Sequence, residues 1–342
     1  MKMIHILPEL EEGGVERHVL WLSEELSARG HEVLVVSAGG KMLPLLAPGV
    51  SHRSLPVHKK NPILAFLCAR RLARLAGQEG WQLFHAHSRV PAWVAYWASR
   101  MAGRPLVVTA HVVFGNQSRW IYRPYRKADR VLCVSAAVED GMRRCFSDNT
   151  RVVLNGMPPI KSEWQRPEHG PCRLLFIGRL AASKGIQDII EILPLLEGSW
   201  TLDIVGDGPL FPHLRGRIEA LGLSDRVFLH GFRDDTDDWL ARCSCLLFPS
   251  YTEGMPLTLA RAVQIRVPVL ASDIPPVAEM AGSRTGLLQP GESAVWLEAI
   301  QKFLNDRVPP ARFSTENIPT IKTMTDEVEK TYFSLISNRL DR

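Results

Sequence analysis

Two cations in one loop of small residues carry the strongest chemical signal in the sequence. Arg179 and Lys184 stand five residues apart in the stretch 178–185, directly after the apolar pair Phe176-Ile177. Two fixed cations at the carboxyl end of a strand suit a diphosphate and would stabilise it as a leaving group. The alternative is ordinary loop charge. The position after a strand favours anion binding, because ligands of parallel sheets bind at that edge.

A carboxylate follows a second apolar run. Glu253 comes five residues after Phe248, and a predicted helix starts near Leu257. A carboxylate can accept hydrogen bonds from sugar hydroxyls, and the N–H groups at a helix start can hold a phosphate. A lone glutamate is usually solvated surface, and that alternative stays open for Glu253 taken by itself.

Two glycine-containing turns are less specific. Gly13-Gly14 precedes a predicted helix, where backbone N–H groups can approach an anion, but a plain tight turn explains it equally well. Asp207 lies in a second such turn, 206–209, with a structural and a ligand-adjacent interpretation both open. There is no G-x-G-x-x-G pattern, so the sequence does not predict a dinucleotide site.

Asp235-Thr236-Asp237 matches the D-x-D pattern of metal-dependent transferases. The acids also precede a short predicted helix, where capping and the helix dipole favour carboxylates. We favour the capping interpretation, because Arg179 and Lys184 can supply the charge that a metal would bring. The expectation is therefore that no metal and no other cofactor is required.

A third group of polar residues lies in the first half of the chain. His85, His87 and Arg89 follow a predicted strand and are expected on the acceptor side of the site. A zinc site is the alternative, but the sequence offers no evident third ligand there. The segment 119–127 mixes cations with aromatic residues, and a solvated face and a membrane-interface contact both remain open.

These residues belong to elements that alternate between strand and helix along the chain. Such alternation predicts parallel sheets with helices on both faces. The pattern breaks in the polar, proline-containing stretch 155–171 and then restarts. We predict an α/β protein with two tandem Rossmann-like, doubly wound domains facing a cleft: residues 1–160 on the acceptor side, 161–324 binding the nucleotide sugar, and a helix at 325–342 that crosses back to the first domain.

Composition limits the partners. The chain has 342 residues, 46% of them apolar, and no apolar run approaches the roughly 18 residues that a membrane span needs. The N-terminal apolar run is too short for a signal peptide, so the expected location is the cytoplasm. Residues 1–160 carry 21 Lys and Arg against 12 Asp and Glu, which favours an anionic partner such as the inner membrane surface. No nucleic-acid-binding signature is present.

Taken together, the segments around Arg179, Asp207 and Glu253 resemble family 4 glycosyltransferases, which are retaining enzymes of the GT-B fold. The Gly13-Gly14 loop agrees with that resemblance, and so do Asn155-Gly156 and the stretch 285–288. The likeness covers nearly the whole chain, and members that act on lipopolysaccharide and other cell-envelope sugars look most similar.

The resemblance implies a role for each matching residue. Catalytic roles fall on His111, Arg179, Lys184 and Glu253. Donor binding adds Gly14, Gly254, Met255, Pro256 and Leu257, with base recognition near Phe232. The acceptor side comprises Gly13, His87 and Arg89. Taken without the resemblance, His111 would be read as a strand-end residue only.

The sequence departs from the family pattern at one position. The family's second motif glutamate, which holds the nucleotide ribose, would fall at position 261, where this chain has Arg261. A guanidinium cannot accept hydrogen bonds from the ribose. Arg261 either adds a cationic contact to the nucleotide or turns outward. The leading function is retaining sugar transfer from a nucleotide-diphosphate donor to a saccharide or glycolipid. The alternatives are an inactive nucleotide-sugar-binding protein and a nucleotide-sugar epimerase of the same fold.

Overall fold

The computed structural model describes residues 1–112, 120–145, 149–160, 162–165, 167 and 169–340. They form two compact units: unit 1 contains Met1–Pro158 and Pro319–Arg342, and unit 2 contains Pro159–Ile318. Each unit is built around one parallel sheet, which confirms the predicted α/β class with two Rossmann-like domains. The boundaries lie at 158 and 318, not at the predicted 160 and 324, because the chain rejoins unit 1 before the last helix begins.

Unit 1 has a seven-stranded sheet in the order β3-β2-β1-β4-β5-β6-β7. Its strands are β1 (Lys2–Ile6), β2 (Glu32–Ser37), β3 (Val50–Ser54), β4 (Leu83–His87), β5 (Leu106–Ala110), β6 (Arg130–Cys133) and β7 (Thr150–Val152). Its helices are α1 (Gly14–Ala28), α2 (Pro62–Glu79), α3 (Arg89–Ala102), α4 (Arg123–Lys127), α5 (Ala136–Cys145) and α12 (Ile321–Leu340). β3 and β7 lie at the two edges and were not among the predicted strands.

The register of β1, β4 and β5 brings polar residues together near the carboxyl ends of these central strands. His5 pairs with His85 across β1 and β4, and His87 pairs with Thr109 across β4 and β5. His85 and His87 are two residues apart in one strand and therefore point to the same face. Helix α1 covers the sheet with the apolar side predicted from helical spacing, including the buried Val19.

Helix α12 is part of unit 1. It starts at Ile321, four residues before the predicted start, and Thr320 Oγ1 accepts a hydrogen bond from the N–H of Thr323 at 3.1 Å. That contact satisfies one of the free amides of the first turn. Tyr332 is fully buried in the core of unit 1. Arg29, at the end of α1, forms an ion pair of 2.6 Å with Asp326 on α12.

Unit 2 has a five-stranded sheet in the order β10-β9-β8-β11-β12. Its strands are β8 (Cys172–Ile177), β9 (Trp200–Val205), β10 (Val227–Gly231), β11 (Cys245–Phe248) and β12 (Val269–Ala271). Its helices are α6 (Ile186–Ile192), α7 (Phe211–Ala220), α8 (Thr236–Arg242), α9 (Leu257–Ile265), α10 (Pro275–Ala281) and α11 (Ser293–Asp306). Within the described ranges, no helix is both long and apolar enough to span a membrane.

Candidate functional site

The loops after β8 and β9 are locked together by backbone contacts. The N–H of Leu180 donates to the carbonyl oxygen of Asp207 at 2.8 Å. Gly206 has a φ of +139°, and a side chain there would overlap the carbonyl oxygen of Gly178. Only glycine adopts this conformation at this approach without strain. The turn around Asp207 therefore holds the loop that carries Arg179.

The loops after β8 and β11 meet at the carboxyl edge of the same sheet. Lys184 Nζ forms a 2.6 Å ion pair with Glu253 Oε1, and the two side chains are 26% and 10% exposed. The N–H of Tyr251 donates to the carbonyl oxygen of Ser183 at 2.9 Å. Gly185 has a φ of +71°, and a side chain there would overlap the carbonyl oxygen of Pro249. The structure thus brings together two predicted site residues that are distant in sequence.

The remaining donor-side residues surround this pair in sequence. Arg179 is exposed at the start of its loop. Gly254 and Pro256 are buried, whereas Met255 and Leu257 are half-buried, and helix α9 begins at Leu257. The first amides of that helix have no intrahelical acceptor and can donate to an anion. Phe232 is half-buried and directly follows β10.

Arg261 does not turn outward. It lies on α9 with 8% of its surface exposed, and its Nε forms a 3.0 Å ion pair with Asp237 Oδ1. Its Nη1 also donates to Gln264 Oε1 at 3.0 Å. The outward alternative is therefore wrong, because helices α8 and α9 pack so that the carboxylate of Asp237 meets the guanidinium. Sequence reasoning treated Asp237 and Arg261 separately and missed their pairing.

The other acid of the D-x-D pattern is also paired with an arginine. Arg233 donates to both carboxylate oxygens of Asp235, at 3.0 Å and 2.8 Å. This bidentate hydrogen bond lowers the pKa of Asp235. Asp235 precedes α8, although its side chain makes no capping hydrogen bond to that helix. The capping interpretation is thus wrong in detail for Asp235, whose carboxylate binds Arg233 and the indole N–H of Trp239.

The predicted acceptor-side residues lie in unit 1. Gly13 precedes α1, with a φ of 172° that any residue can adopt, and Gly14 is the first helical residue. Gly13 therefore does not require glycine for its backbone conformation, and the two interpretations of this turn stay open. Arg89 is the first residue of α3 and is half-buried. Ser88 before it has a φ of +80°, a region that costs a serine free energy.

Histidines from four elements converge in unit 1, which is more than the sequence predicted. They lie at the carboxyl ends of β1 and β4, just after β5 and on α1: His5, His85, His87, His111 and His18. Most ring pairs are tilted, with centroids 4.2 Å apart for His85 and His87, whereas His18 and His111 are T-shaped at 5.0 Å and His5 and His87 are stacked at 5.4 Å. His111 is half-buried, and the other four are buried.

Burial keeps these imidazoles neutral. It lowers the pKa of His5 to about 3, with a smaller contribution from the nearby His18. Burial also lowers the pKa of His18 to about 4, against a smaller opposing effect of Asn155. Burial followed by the neighbouring rings lowers the pKa of His85, His87 and His111 well below the usual value. Neutral imidazoles can donate one hydrogen bond and accept another.

The sequence-based statement that no third ligand accompanies His85 and His87 is wrong. Among the residues that the structure describes, two groups of three rings have nitrogens within 4.8 Å of one another: His5 with His85 and His87, and His18 with His87 and His111. His5 and His18 were missed because strand order is not visible in the sequence. Two sequence features could have predicted them: a histidine near the end of the first strand, and a second histidine one helical turn after the start of the first helix. That no metal is required stays a prediction.

Comparison with known proteins identifies glycosyltransferases as relatives of this chain. The sequence model of Glycosyltransferase Family 4 matches residues 12–159, and that of Glycosyl transferases group 1 matches residues 171–306. Over 267 residues the chain is 27% identical to the teichuronic acid biosynthesis glycosyltransferase TuaC of Bacillus subtilis, covering 71% of this chain and 67% of the relative. It is 25% identical over 230 residues to the lipopolysaccharide 1,6-galactosyltransferase of Escherichia coli, covering 62% and 63%.

Among solved structures, Anabaena HepE in complex with UDP and glucose superimposes with a TM-score of 0.82 at 21% identity, covering 98% of this chain and 100% of that one. The two parallel-sheet units and this likeness define the GT-B fold. The chain belongs to the glycosyltransferases, with Family 4 matching its first half and group 1 its second.

Proposed function

We propose that this glycosyltransferase moves a sugar from a nucleoside-diphosphate donor to a cell-envelope saccharide or glycolipid, with retention of anomeric configuration and without a metal. The observation that carries the donor half is the contact of Lys184, in the loop that also carries Arg179, with Glu253. This arrangement presents cations to a diphosphate and a carboxylate to sugar hydroxyls. The first amides of α9 add donors for the phosphate.

The chemistry assigned to these groups is charge stabilisation and positioning. Arg179 and Lys184 stabilise the negative charge that develops on the departing diphosphate. Glu253 accepts hydrogen bonds from the sugar, and its ion pair with Lys184 fixes its position. The acceptor attacks from the face that the phosphate leaves, and a phosphate oxygen takes the acceptor proton. His111 contacts the donor sugar.

Metal independence is supported by the pairing of the D-x-D acids. Both Asp235 and Asp237 bind arginines, so neither carboxylate is uncommitted as a metal ligand. Initial rates should be the same before and after incubation with excess EDTA. A loss of activity that manganese or magnesium restores would contradict this proposal.

A cell-envelope acceptor is supported by two features of unit 1. Residues 1–160 carry an excess of cations, and relatives named for teichuronic acid and lipopolysaccharide synthesis match the chain. Helix α2 also presents an apolar outer face: Ile63, Phe66 and Leu67 are 74%, 47% and 53% exposed. Scattered apolar residues are common on surfaces, but these three occupy one face at helical spacing.

Cations border this apolar face on both sides. Lys59 and Lys60 precede α2, and Arg70, Arg71 and Arg74 follow the apolar residues along the helix, all exposed. We call Ile63, Phe66, Leu67 and these five cations the α2 face.

Trp120 adds an exposed aromatic ring, 66% accessible, on the indole of Trp93 with centroids 5.0 Å apart. The predicted cations Arg123, Arg126 and Lys127 are exposed on α4, while Arg119 lies outside the described residues. An apolar helix face with flanking cations and interfacial aromatics matches an acidic lipid surface. The enzyme is thus proposed to bind the inner membrane surface peripherally.

The experiment that tests the transfer reaction starts with a binding screen of nucleotide sugars. The tightest binder is then incubated with candidate acceptors, and release of free nucleoside diphosphate is followed together with the anomeric proton signal of the product. Nucleotide release only in the presence of acceptor, with the donor's anomeric configuration kept, is the expected result. Conversion of the donor sugar without acceptor would indicate an epimerase. Tight binding without turnover for any acceptor would indicate a binding protein, and an inverted product would contradict retention.

A further inference from the structure

A chain of hydrogen bonds starts at His111 and runs into the core of unit 1. Nε2 of His111 lies 3.1 Å from Nδ1 of His87. Nε2 of His87 lies 3.2 Å from Nδ1 of His5. Nε2 of His5 then lies 3.4 Å from the hydroxyl oxygen of Tyr332 on α12. His87 and His5 thus use both ring nitrogens, each with Nδ1 toward His111 and Nε2 toward Tyr332, and His111 joins the series through Nε2.

The series of hydrogen bonds continues from Tyr332 to His85 and Thr109. The Tyr332 hydroxyl lies 2.5 Å from Nδ1 of His85, whose Nε2 lies 2.6 Å from Oγ1 of Thr109. These groups are all buried, which makes an unmade hydrogen bond costly. The network therefore satisfies a set of polar side chains that the packing of β1, β4, β5 and α12 removes from water.

A neutral imidazole has one N–H and one lone pair, so a ring that accepts at one nitrogen must donate at the other. The hydrogen bonds along the chain must then all run in one direction. Going from His111 to Thr109, the rings of His87, His5 and His85 each bond the preceding group through Nδ1 and the following group through Nε2, and His111 bonds the following ring through Nε2. The four rings must therefore share one tautomer. The choice is between four rings protonated at Nε2 and four protonated at Nδ1.

The direction follows from Tyr332. Its hydroxyl lies on one side 2.5 Å from His85 and on the other 3.4 Å from His5. A separation of 2.5 Å suits an O–H donor better than an N–H donor. Thr109 is nearly as close to His85, but a neutral ring can accept only one of the two bonds. The phenol is the more acidic hydroxyl, so Tyr332 donates to Nδ1 of His85, and His85 donates to Thr109.

We propose that Tyr332 fixes His5, His85, His87 and His111 in the Nε2–H tautomer, so that His111 keeps an unprotonated Nδ1 as a hydrogen-bond acceptor. Tyr332, His5 and His87 are positioning residues that act through His111. The functional consequence rests on the proposed function: Nδ1 of His111 accepts a hydrogen bond from a hydroxyl of the donor sugar, and the other tautomer would offer an N–H in its place.

A metal centre is the competing explanation for clustered histidines. His5, His85 and His87 have nitrogens close enough to share an ion. Both nitrogens of His85 are, however, already engaged by Tyr332 and Thr109. A metal would have to break one of those buried hydrogen bonds. The hydrogen-bonded chain is therefore favoured, and metal binding becomes one outcome of the test.

The test measures imidazole 15N chemical shifts of histidine-labelled full-length protein at pH 7.5, without donor. Each signal is assigned by single substitution, and metal content is measured on the same sample. The expected result is the Nε2–H pattern for all four rings. Tyr332→Phe keeps the aromatic ring but removes the hydroxyl, so His5, His87 and His111 should gain a second tautomer. His18→Phe is the matched control, because the ring of His18 packs against His87 and His111 but is not a member of this series of hydrogen bonds.

Activity provides the second readout. If about half of His111 adopts the wrong tautomer, kcat/KM of Tyr332→Phe should fall about twofold, because only the competent fraction binds the donor productively. Different tautomers among the four rings of the wild type, a single Nε2–H form of His111 in Tyr332→Phe, or one zinc per chain with metal-shifted nitrogens would each overturn the proposal. Uniform tautomers together with full activity of His111→Ala would leave the hydrogen-bonded chain intact and disprove only the role of His111 in transfer.

Discussion

Unit 1 and unit 2 differ in where they place charged and titratable side chains. Unit 2 gathers charged side chains on exposed or half-buried loops, where Arg179 and the pair of Lys184 with Glu253 stand at the edge of the sheet. Unit 1 gathers histidines in its interior, where burial holds them neutral. Charge at a loop binds an anion without the free-energy cost of burying an ion. Neutral imidazoles in a core can orient hydrogen bonds without bringing charge. The comparison indicates that unit 2 supplies charge and unit 1 supplies directed hydrogen bonds.

The largest effect is expected when one of the two loop cations of unit 2 is removed. Arg179→Ala and Lys184→Ala should each weaken nucleoside-diphosphate binding and slow transfer by about 30- to 1000-fold, corresponding to roughly 2–4 kcal/mol for a charge-assisted contact. Isothermal titration with the nucleotide and initial rates at saturating acceptor measure both effects.

Lys302→Ala is the matched control, because Lys302 is exposed on α11 away from these loops in sequence. Lys184→Ala also leaves Glu253 without its cation, so this variant should lose more sugar affinity than Arg179→Ala does. Near-native turnover of either loop variant would remove that residue from the site.

The second prediction concerns the ion pair between Arg261 on α9 and Asp237 on α8. Arg261→Glu places a carboxylate against Asp237, and both positions are largely buried. Removing one partner of a buried pair costs about 3 kcal/mol of unfolding free energy. Nucleotide affinity should fall as well, because α9 carries the amides assigned to the phosphate. Chemical denaturation and nucleotide titration measure the two quantities separately.

Arg266→Glu provides the control, because Arg266 is exposed just after the same helix. Adding Asp237→Lys to Arg261→Glu should restore most of the stability. Improved nucleotide binding in Arg261→Glu would mean that a glutamate at this position reaches the ribose, as in the family pattern, and that the buried pair is dispensable.

The third prediction is that the stability of unit 1 depends more strongly on pH than the stability of unit 2. A histidine whose pKa is lower in the folded protein than in the unfolded chain destabilises the fold as pH falls, because the unfolded chain then binds more protons. For His5, with a pKa of about 3 against 6.5, the loss at pH 5 is about 2 kcal/mol. Stability should therefore decline from about pH 6.5 downward, until the folded pKa is reached near pH 3.

Hydrogen exchange at pH 7 and pH 5 can assign this loss of stability in acid to one unit. Amides of α1 should lose protection in acid before those of α9 do. His213→Gln should leave the pH dependence unchanged, since His213 is exposed on α7. Earlier opening of unit 2 would contradict the assignment of the buried, neutral histidines as the acid-sensitive part.

The fold could be predicted from the sequence because it depends on local patterns, and alternating apolar runs located most strands. Lys184 and Glu253 were each predicted to follow a strand, and parallel strands bring their carboxyl ends to one edge of the sheet, where the structure pairs these two residues. The histidine network depends on β1 lying beside β4 and on Tyr332 of α12 meeting His5 and His85. The return of the last helix to unit 1 was predicted, but the order of the strands and these side-chain contacts are not visible in the sequence.

The smallest effects per residue are expected on the surface of unit 1. Acidic vesicles should bind the protein through the α2 face and the cations of α4, each cation contributing about 1 kcal/mol, or roughly fivefold in affinity, at low salt. The triple variant Arg123→Ala/Arg126→Ala/Lys127→Ala and the variant Phe66→Ser/Leu67→Ser should both bind vesicles more weakly. The first should lose part of its salt dependence, since the five cations of the α2 face remain, and the second should keep all of it, because screening acts on charge and leaves apolar insertion in place.

Nucleotide binding is the internal reference for that titration. Lys184 in unit 2 is partly enclosed and paired with Glu253, so nucleotide affinity should fall less steeply with salt than vesicle affinity does. Both ligands are titrated with wild type and both variants from low to high salt, with neutral vesicles as a control. Equal salt slopes for the two ligands, or vesicle binding unchanged in both variants, would rule out the membrane surface. A water-soluble saccharide would then be the better acceptor, and the apolar side chains of α2 would need another explanation.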